Sequence, residues 1–154
     1  MSVPIVPCLW FPDCAEEAME FYCSVFPDSR ILSIERYPDE SLDEHFKGMS
    51  GKVLTGRFVL DGTEFICLDG GPAFTFNEAI SLTVECADQA EIDHYWSNLS
   101  ASPDHEQCGW LKDRFGVSWQ IVPANLGELM TGPAQTQALM QMKKIDIDDL
   151  VNAG

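Results

Sequence analysis

The chain has 154 residues, of which 9 are Lys or Arg and 25 are Asp or Glu, for a formal net charge of −16 at pH 7. That charge repels phosphate backbones and anionic head groups, so neither nucleic acid nor a membrane surface is expected as a partner. Six cysteines form no Cys-x-x-Cys pair, the opening residues lack a basic and apolar leader, and no apolar run approaches the ~18 residues of a membrane span, which together predict reduced thiols and a cytoplasmic location.

Ile5 to Phe11 is apolar and bounded by prolines, which predicts a buried first strand. Asp13 stands where a helix N-cap should be, Glu16 follows three residues later as the second half of a capping box, and Ala18, Phe21, Tyr22 and Val25 make an apolar stripe. Arg30 to Tyr37 alternates, with Leu32 and Ile34 on one face, and predicts a second strand. The acidic stretch at 38–51 has no period and reads as a surface loop. Lys52 to Leu60 and Glu64 to Leu68 form a hairpin through Asp61-Gly62, a dipeptide suited to the positive backbone angles of a tight turn. Gly70-Gly71-Pro72 closes this first module, taken as 1–72.

The pattern then recurs over 77–123. Ala79 to Cys86 alternates Ile80, Leu82 and Val84 with Ser81, Thr83 and Glu85, a strand with one polar face. Asp88 and Glu91 repeat the capping box, and Ile92, Tyr95, Trp96 and Leu99 repeat the buried stripe. Two short strand segments around Gly109 and a last strand from Ser118 to Val122 follow, with Phe115-Gly116 in the place of Asp61-Gly62. Asp13 to Asp61 spans 48 positions and Asp88 to Phe115 spans 27, a shortening of 21 that the long loop and its flanks could absorb. Residues 124–154 form a helical extension, with Leu126, Leu129, Met130, Ala134, Ala138, Leu139 and Met142 on apolar stripes, Pro133 at a helix start and Asp146 as a cap. The Met-rich stripes could cover a sheet, contact a partner subunit or line a cofactor box.

A strand, a capped helix and three strands, repeated once, resemble the vicinal oxygen chelate superfamily of glyoxalase I, extradiol dioxygenases and antibiotic-resistance proteins. Ala15-Glu16-Glu17-Ala18 with Phe21-Tyr22 and Phe26-Pro27, Gly70-Gly71-Pro72 with Phe76-Asn77-Glu78, Lys144 to Ile147, and above all the block from Gln107 to Pro123 with its Gly-Trp and Trp-Gln pairs, are similar to the PhnB-like branch, which often carries the label 3-demethylubiquinone-9 3-methyltransferase. The resemblance covers nearly the whole of residues 1–154. It implies an α+β fold of two βαβββ modules with curled mixed sheets and C-terminal helices, a single glyoxalase-like domain, a small-molecule cavity between the sheets, and a homodimer.

In metal-using relatives each module supplies a His, Gln or Glu ligand from its first and last strands. The matching positions here are Val6, Ile66, Ser81 and Gln120, of which Gln120 alone has donor chemistry, so no cofactor is expected and a divalent metal is not supported. The candidate ligand-binding residues are Trp10, Ser81, Thr83, Trp110, Arg114 and Gln120, polar groups among aromatic walls. Trp119 is a further wall candidate, a core role is the alternative for Trp10, Trp110 and Trp119, a buried amide satisfied by backbone is the alternative for Gln120, and Arg114 could instead pair with Asp113. Three functions stay open: a metal-independent protein binding a small apolar or aromatic molecule, a metal enzyme of the same fold using Glu85, Glu64 or His45, and the labelled methyltransferase. Against the last, a common S-adenosylmethionine site opens a helix from a glycine-rich turn, and Pro72 follows these glycines.

Overall fold

In the computed structural model, which describes residues 2–154, the first unit ends at Thr75. It contains β1 (Cys8–Phe11), α1 (Ala15–Val25), β2 (Arg30–Arg36), β3 (Val53–Leu60) and β4 (Thr63–Asp69), in one sheet of order β1-β4-β3-β2. β1 runs parallel to β4, and the other pairs are antiparallel. The β3–β4 hairpin turns at Asp61 (φ 45°) and Gly62 (φ 90°), with Leu60 opposite Thr63, as the Asp-Gly signal predicts. Helix α1 buries Ala15, Ala18, Met19, Tyr22 and Val25. Phe21, expected in that stripe, is half-buried, and Met19 takes its place in the core.

Two expectations for this unit change. Asp13 does not cap α1: Cys14 is the N-cap residue, with no side-chain cap bond. The buried carboxylate of Asp69 accepts from the Ala15 amide at 2.8 Å, and its second oxygen accepts from the Val53 amide at 3.0 Å. A residue 54 positions away thus ties the helix start to the end of β4 and the start of β3. Glu16, freed from a capping box, accepts from Arg36 at 2.7 Å. On β2 the alternation of Leu32 with Ile34 fails, because the pairing slips between Ile31 and Ser33. Leu32 is 41% exposed while Ile31 and Ile34 are half-buried, as a bulge on an edge strand requires.

The second unit, from Phe76, contains β5 (Ser81–Cys86), α2 (Gln89–Leu99), β6 (Trp110–Lys112) and β7 (Ser118–Pro123), then α3 (Leu126–Leu129), α4 (Pro133–Gln141) and α5 (Ile147–Val151). Its sheet order is β5-β7-β6, with β5 parallel to β7 and β6 antiparallel to it. This is the first sheet's order with the strand equivalent to β2 reduced to one bridge, Gln107 opposite Trp110. The shortening between repeats therefore took most of a strand as well as loop. Cys108 (φ 51°) and Gly109 (φ 87°) make the turn between those bridge partners. Their amides donate at 2.8 Å to the carbonyls of Met142 and Lys143, and the side chain of Ile145, fully buried, approaches Gly109 so closely that an added Cβ would lie 2.9 Å from it. The chain between α4 and α5 thus holds the turn where a sheet neighbour would otherwise do so.

Helix α2 follows the sequence reading. Asp88 accepts from the Glu91 amide at 3.0 Å, Glu91 accepts from the Ala87 amide at 2.9 Å, and Ile92, Tyr95, Trp96 and Leu99 are buried. Pro133 opens α4, and Asp146 caps α5 by accepting from the Asp149 amide at 2.9 Å. Among the described residues no helix is long and apolar enough to cross a membrane.

Candidate functional site

Strand register sorts the second sheet into two faces. Leu111, Trp119 and Leu82 lie abreast on one face, followed by Ile121 and Val84, and α2 packs against all three strands. Lys112, Ser118 and Ser81 form a row on the other face, and Trp110, Gln120 and Thr83 form the next. Directly opposed side chains in such rows lie ~5 Å apart at Cβ. The structure therefore brings four sequence candidates, Ser81, Thr83, Trp110 and Gln120, onto one face. The Gln120 amide donates to the Ser81 hydroxyl at 2.9 Å, which fixes its oxygen to point away from that bond.

Beside these rows lies a cleft of about 440 Å³ lined by Trp110, Lys112, Ser118, Glu78, His105 and Gln107, with Asp104, Glu106 and Leu111 completing it. Trp110 is half-buried. Lys112 forms an ion pair with Glu78, and the hydrogen bond and charge of that lysine hold the Glu78 carboxyl below its usual range. Ser118 is 2% exposed, and its hydroxyl has no hydrogen-bond partner among the described residues. Sequence reasoning missed Lys112, Glu78 and Ser118, although Lys112 follows the candidate Trp110 by two positions in one strand and so shares its face.

The remaining candidates lie elsewhere. Trp119 is a core residue: it is 2% exposed, and its indole N–H donates to Asp113 at 2.8 Å. The buried Asp113 also accepts from the amides of Phe115 and Val117 at 2.8 and 3.0 Å, so it organises the β6–β7 turn. Arg114 is exposed on that turn, with its guanidinium 5.7 Å from the Phe115 ring centroid. Trp10 belongs to the first unit, where its indole donates to the Gly71 carbonyl at 3.0 Å and meets Phe74 edge-on at 4.8 Å.

That contact explains Gly70, and a φ of 82° explains Gly71. A Cβ on Gly70 would lie 2.2 Å from the Trp10 ring, and the amides of Gly70 and Gly71 already donate to the carbonyls of Phe11 and Pro12 at 2.8 and 3.0 Å. These spent amides do not fit the phosphate- or cofactor-cradling turn that a methyltransferase of the common type would need. The metal positions fare similarly. Val6 and Ile66 offer no donor atoms, and Ser81 and Gln120 bond each other. Among the described residues no three His, Cys, Asp or Glu side chains converge to hold an ion. Glu64 pairs with Arg57 at 2.8 Å, His45 with Asp43 at 2.8 Å in the exposed loop, and Glu85 is exposed on β5.

Two units of strand, helix and strands, each with its first strand parallel to its last, define a glyoxalase-like protein of the vicinal oxygen chelate superfamily. The chain belongs to its PhnB-like family, whose model, described as 3-demethylubiquinone-9 3-methyltransferase, matches residues 3–122. A solved structure from Bacillus cereus, described as a 3-demethylubiquinone-9 3-methyltransferase and PhnB protein, is 39% identical, with 78% of this chain and 99% of that chain covered and a TM-score of 0.63. A protein from Pseudomonas aeruginosa shares the fold at 20% identity, with 79% and 98% covered and a TM-score of 0.59. So does the genomically encoded fosfomycin resistance protein FosX from Listeria monocytogenes, at 13% identity, with 86% and 99% covered and a TM-score of 0.54. No curated protein matches the chain.

Proposed function

We propose that this protein binds a small, flat apolar or aromatic molecule against Trp110, on the face of the second sheet that α2 leaves uncovered, and does so without the usual divalent metal. The observation that carries the reading is the row of Trp110, Gln120 and Thr83 beside a cleft of about 440 Å³. An apolar ring wall with a few fixed polar groups is the composition of a small-molecule site. The donor-poor metal positions support the metal-free form, since a divalent ion needs several converging oxygen or imidazole ligands.

The test is ligand-observed NMR with a panel of small aromatic compounds at millimolar concentration, on the wild-type protein and on Trp110→Ala. Binding by the wild type that weakens at least several-fold in the variant is the expected result. No binding by any compound, or equal binding by both proteins, would overturn it. Stoichiometric metal retained through purification and dialysis would overturn the metal-free part, and heat released on titration with S-adenosylmethionine would favour the family label instead. Homodimerisation and a cytoplasmic location belong to the same proposal. β1 and β5 are both sheet edges, and Ile5, Phe74 and Ile80 are exposed apolar residues near their ends. Light scattering at micromolar concentration should give twice the mass of 17.2 kDa.

A further inference from the structure

The Lys112 row gathers three donors on one face: the Lys112 ammonium, paired with Glu78, and the hydroxyls of Ser118 and Ser81. The Lys112 side chain is 21% exposed and Glu78, its partner from the segment before β5, is 63% exposed. Lys112 stands directly opposite Ser118, and Ser118 opposite Ser81. The Ser118 hydroxyl is buried without a partner among the described residues, and the Ser81 hydroxyl, which accepts from Gln120, keeps its own proton to donate. A buried hydroxyl left unpaired calls for a group that the isolated chain does not supply. The other acids that line the cleft make no bond to this row: Asp104 is exposed, and Glu106 accepts from the Ser100 hydroxyl at 2.7 Å.

We infer that Lys112 and Ser118 form the seat for the anionic head, a carboxylate or its equivalent, of the molecule whose flat body lies on Trp110, and that Glu78 occupies this seat until the ligand displaces it. The inference rests on the function proposed above and adds the chemical class of the ligand, an aromatic or flat apolar acid. Two features agree with it. The seat offers one cation and hydroxyl donors, which match a carboxylate's acceptor-only oxygens. Glu78, the more exposed member of the pair, sits outside any helix or strand and can swing into solvent at small cost. Most of the charges behind the net −16 lie beyond the ~8 Å over which charges act at physiological salt, so they weaken the attraction of Lys112 for an anion without cancelling it.

Benzoate, benzamide and benzamidine share one ring and differ in the charge of the head, so titrating all three by NMR separates this inference from the reading beneath it. Benzoate should bind the wild type more tightly than benzamide, Glu78→Gln should strengthen benzoate by about five-fold, and Lys112→Met should remove the preference for benzoate over benzamide. Ser118→Ala should weaken benzoate several-fold, with the urea midpoint of each variant as the check on folding. Equal binding of the three probes, or benzoate affinity unchanged in Glu78→Gln, would overturn the anion seat and leave the aromatic site standing. Preference for benzamidine would overturn it in favour of a cationic ligand. Failure of all three probes to bind would bring down both.

Discussion

Asp69, Asp113 and Trp10 each do work that their neighbours in sequence do not announce. The two aspartates look like any others in a chain with 25 acidic residues, yet Asp113 satisfies three donors at 2.8–3.0 Å from within the core. Asp113→Ala should cost about 3 kcal/mol or more in urea unfolding, since it strands two amides and an indole N–H. The same change at the exposed Asp104 should cost less than about 0.5 kcal/mol. Gly70→Ala should cost about 1–3 kcal/mol, because the Trp10 ring at 2.2 Å must move and give up its bond to Gly71. Thiol reactivity follows burial: desolvation raises Cys67 and Cys86 to about 12. At pH 8 these two should resist iodoacetamide in the folded protein and react after denaturation, as peptide mass spectrometry will show.

Helix ends show where local sequence suffices and where it does not. Asp13-x-x-Glu16 and Asp88-x-x-Glu91 are the same text, but only the second forms a cap. Asp88→Ala should therefore cost about 1 kcal/mol, whereas Asp13→Ala should cost less than half of that. The reverse outcome in equilibrium unfolding would mean that Asp69 does not cap α1. Short-range signals made most elements legible: the Asp61-Gly62 turn, the stripe of α2 and the alternation of β5 all depend on residues within a few positions of one another. The bulge at Leu32 and the cap from Asp69 depend on partners in other strands, so no window of sequence contains them. The candidate face was legible for the same reason as β5, since period-two alternation put Ser81, Thr83 and Gln120 on common sides. The Lys112–Glu78 pair was not, because it joins positions 34 residues apart across an irregular segment.

For the molecule as a whole, charge sets the response to acid. With a sequence isoelectric point of about 4.2, solubility should be lowest near that pH. Pairs such as Glu16 with Arg36 fail in the same region. The hydrogen bond from Arg36, aided by its charge, holds Glu16 below its ordinary 4.5. The folded state then binds fewer protons than the unfolded one, so the pair's stabilisation is complete above that value and disappears as pH falls through the depressed one. The difference in urea midpoint between wild type and Arg36→Met should accordingly be larger at pH 7 than at pH 3, with the part due to the bond from Arg36 to the Gly51 carbonyl at 3.2 Å persisting in acid. The missing strand of the second repeat has a consequence for biosynthesis. All partners of the first sheet have left the ribosome once Asp69 has emerged, but the Cys108-Gly109 turn must wait for Met142, Lys143 and Ile145. Maturation of the two repeats is thereby staggered: a nascent chain stalled before residue 142 should carry a protease-resistant first repeat and a second one still open to cleavage.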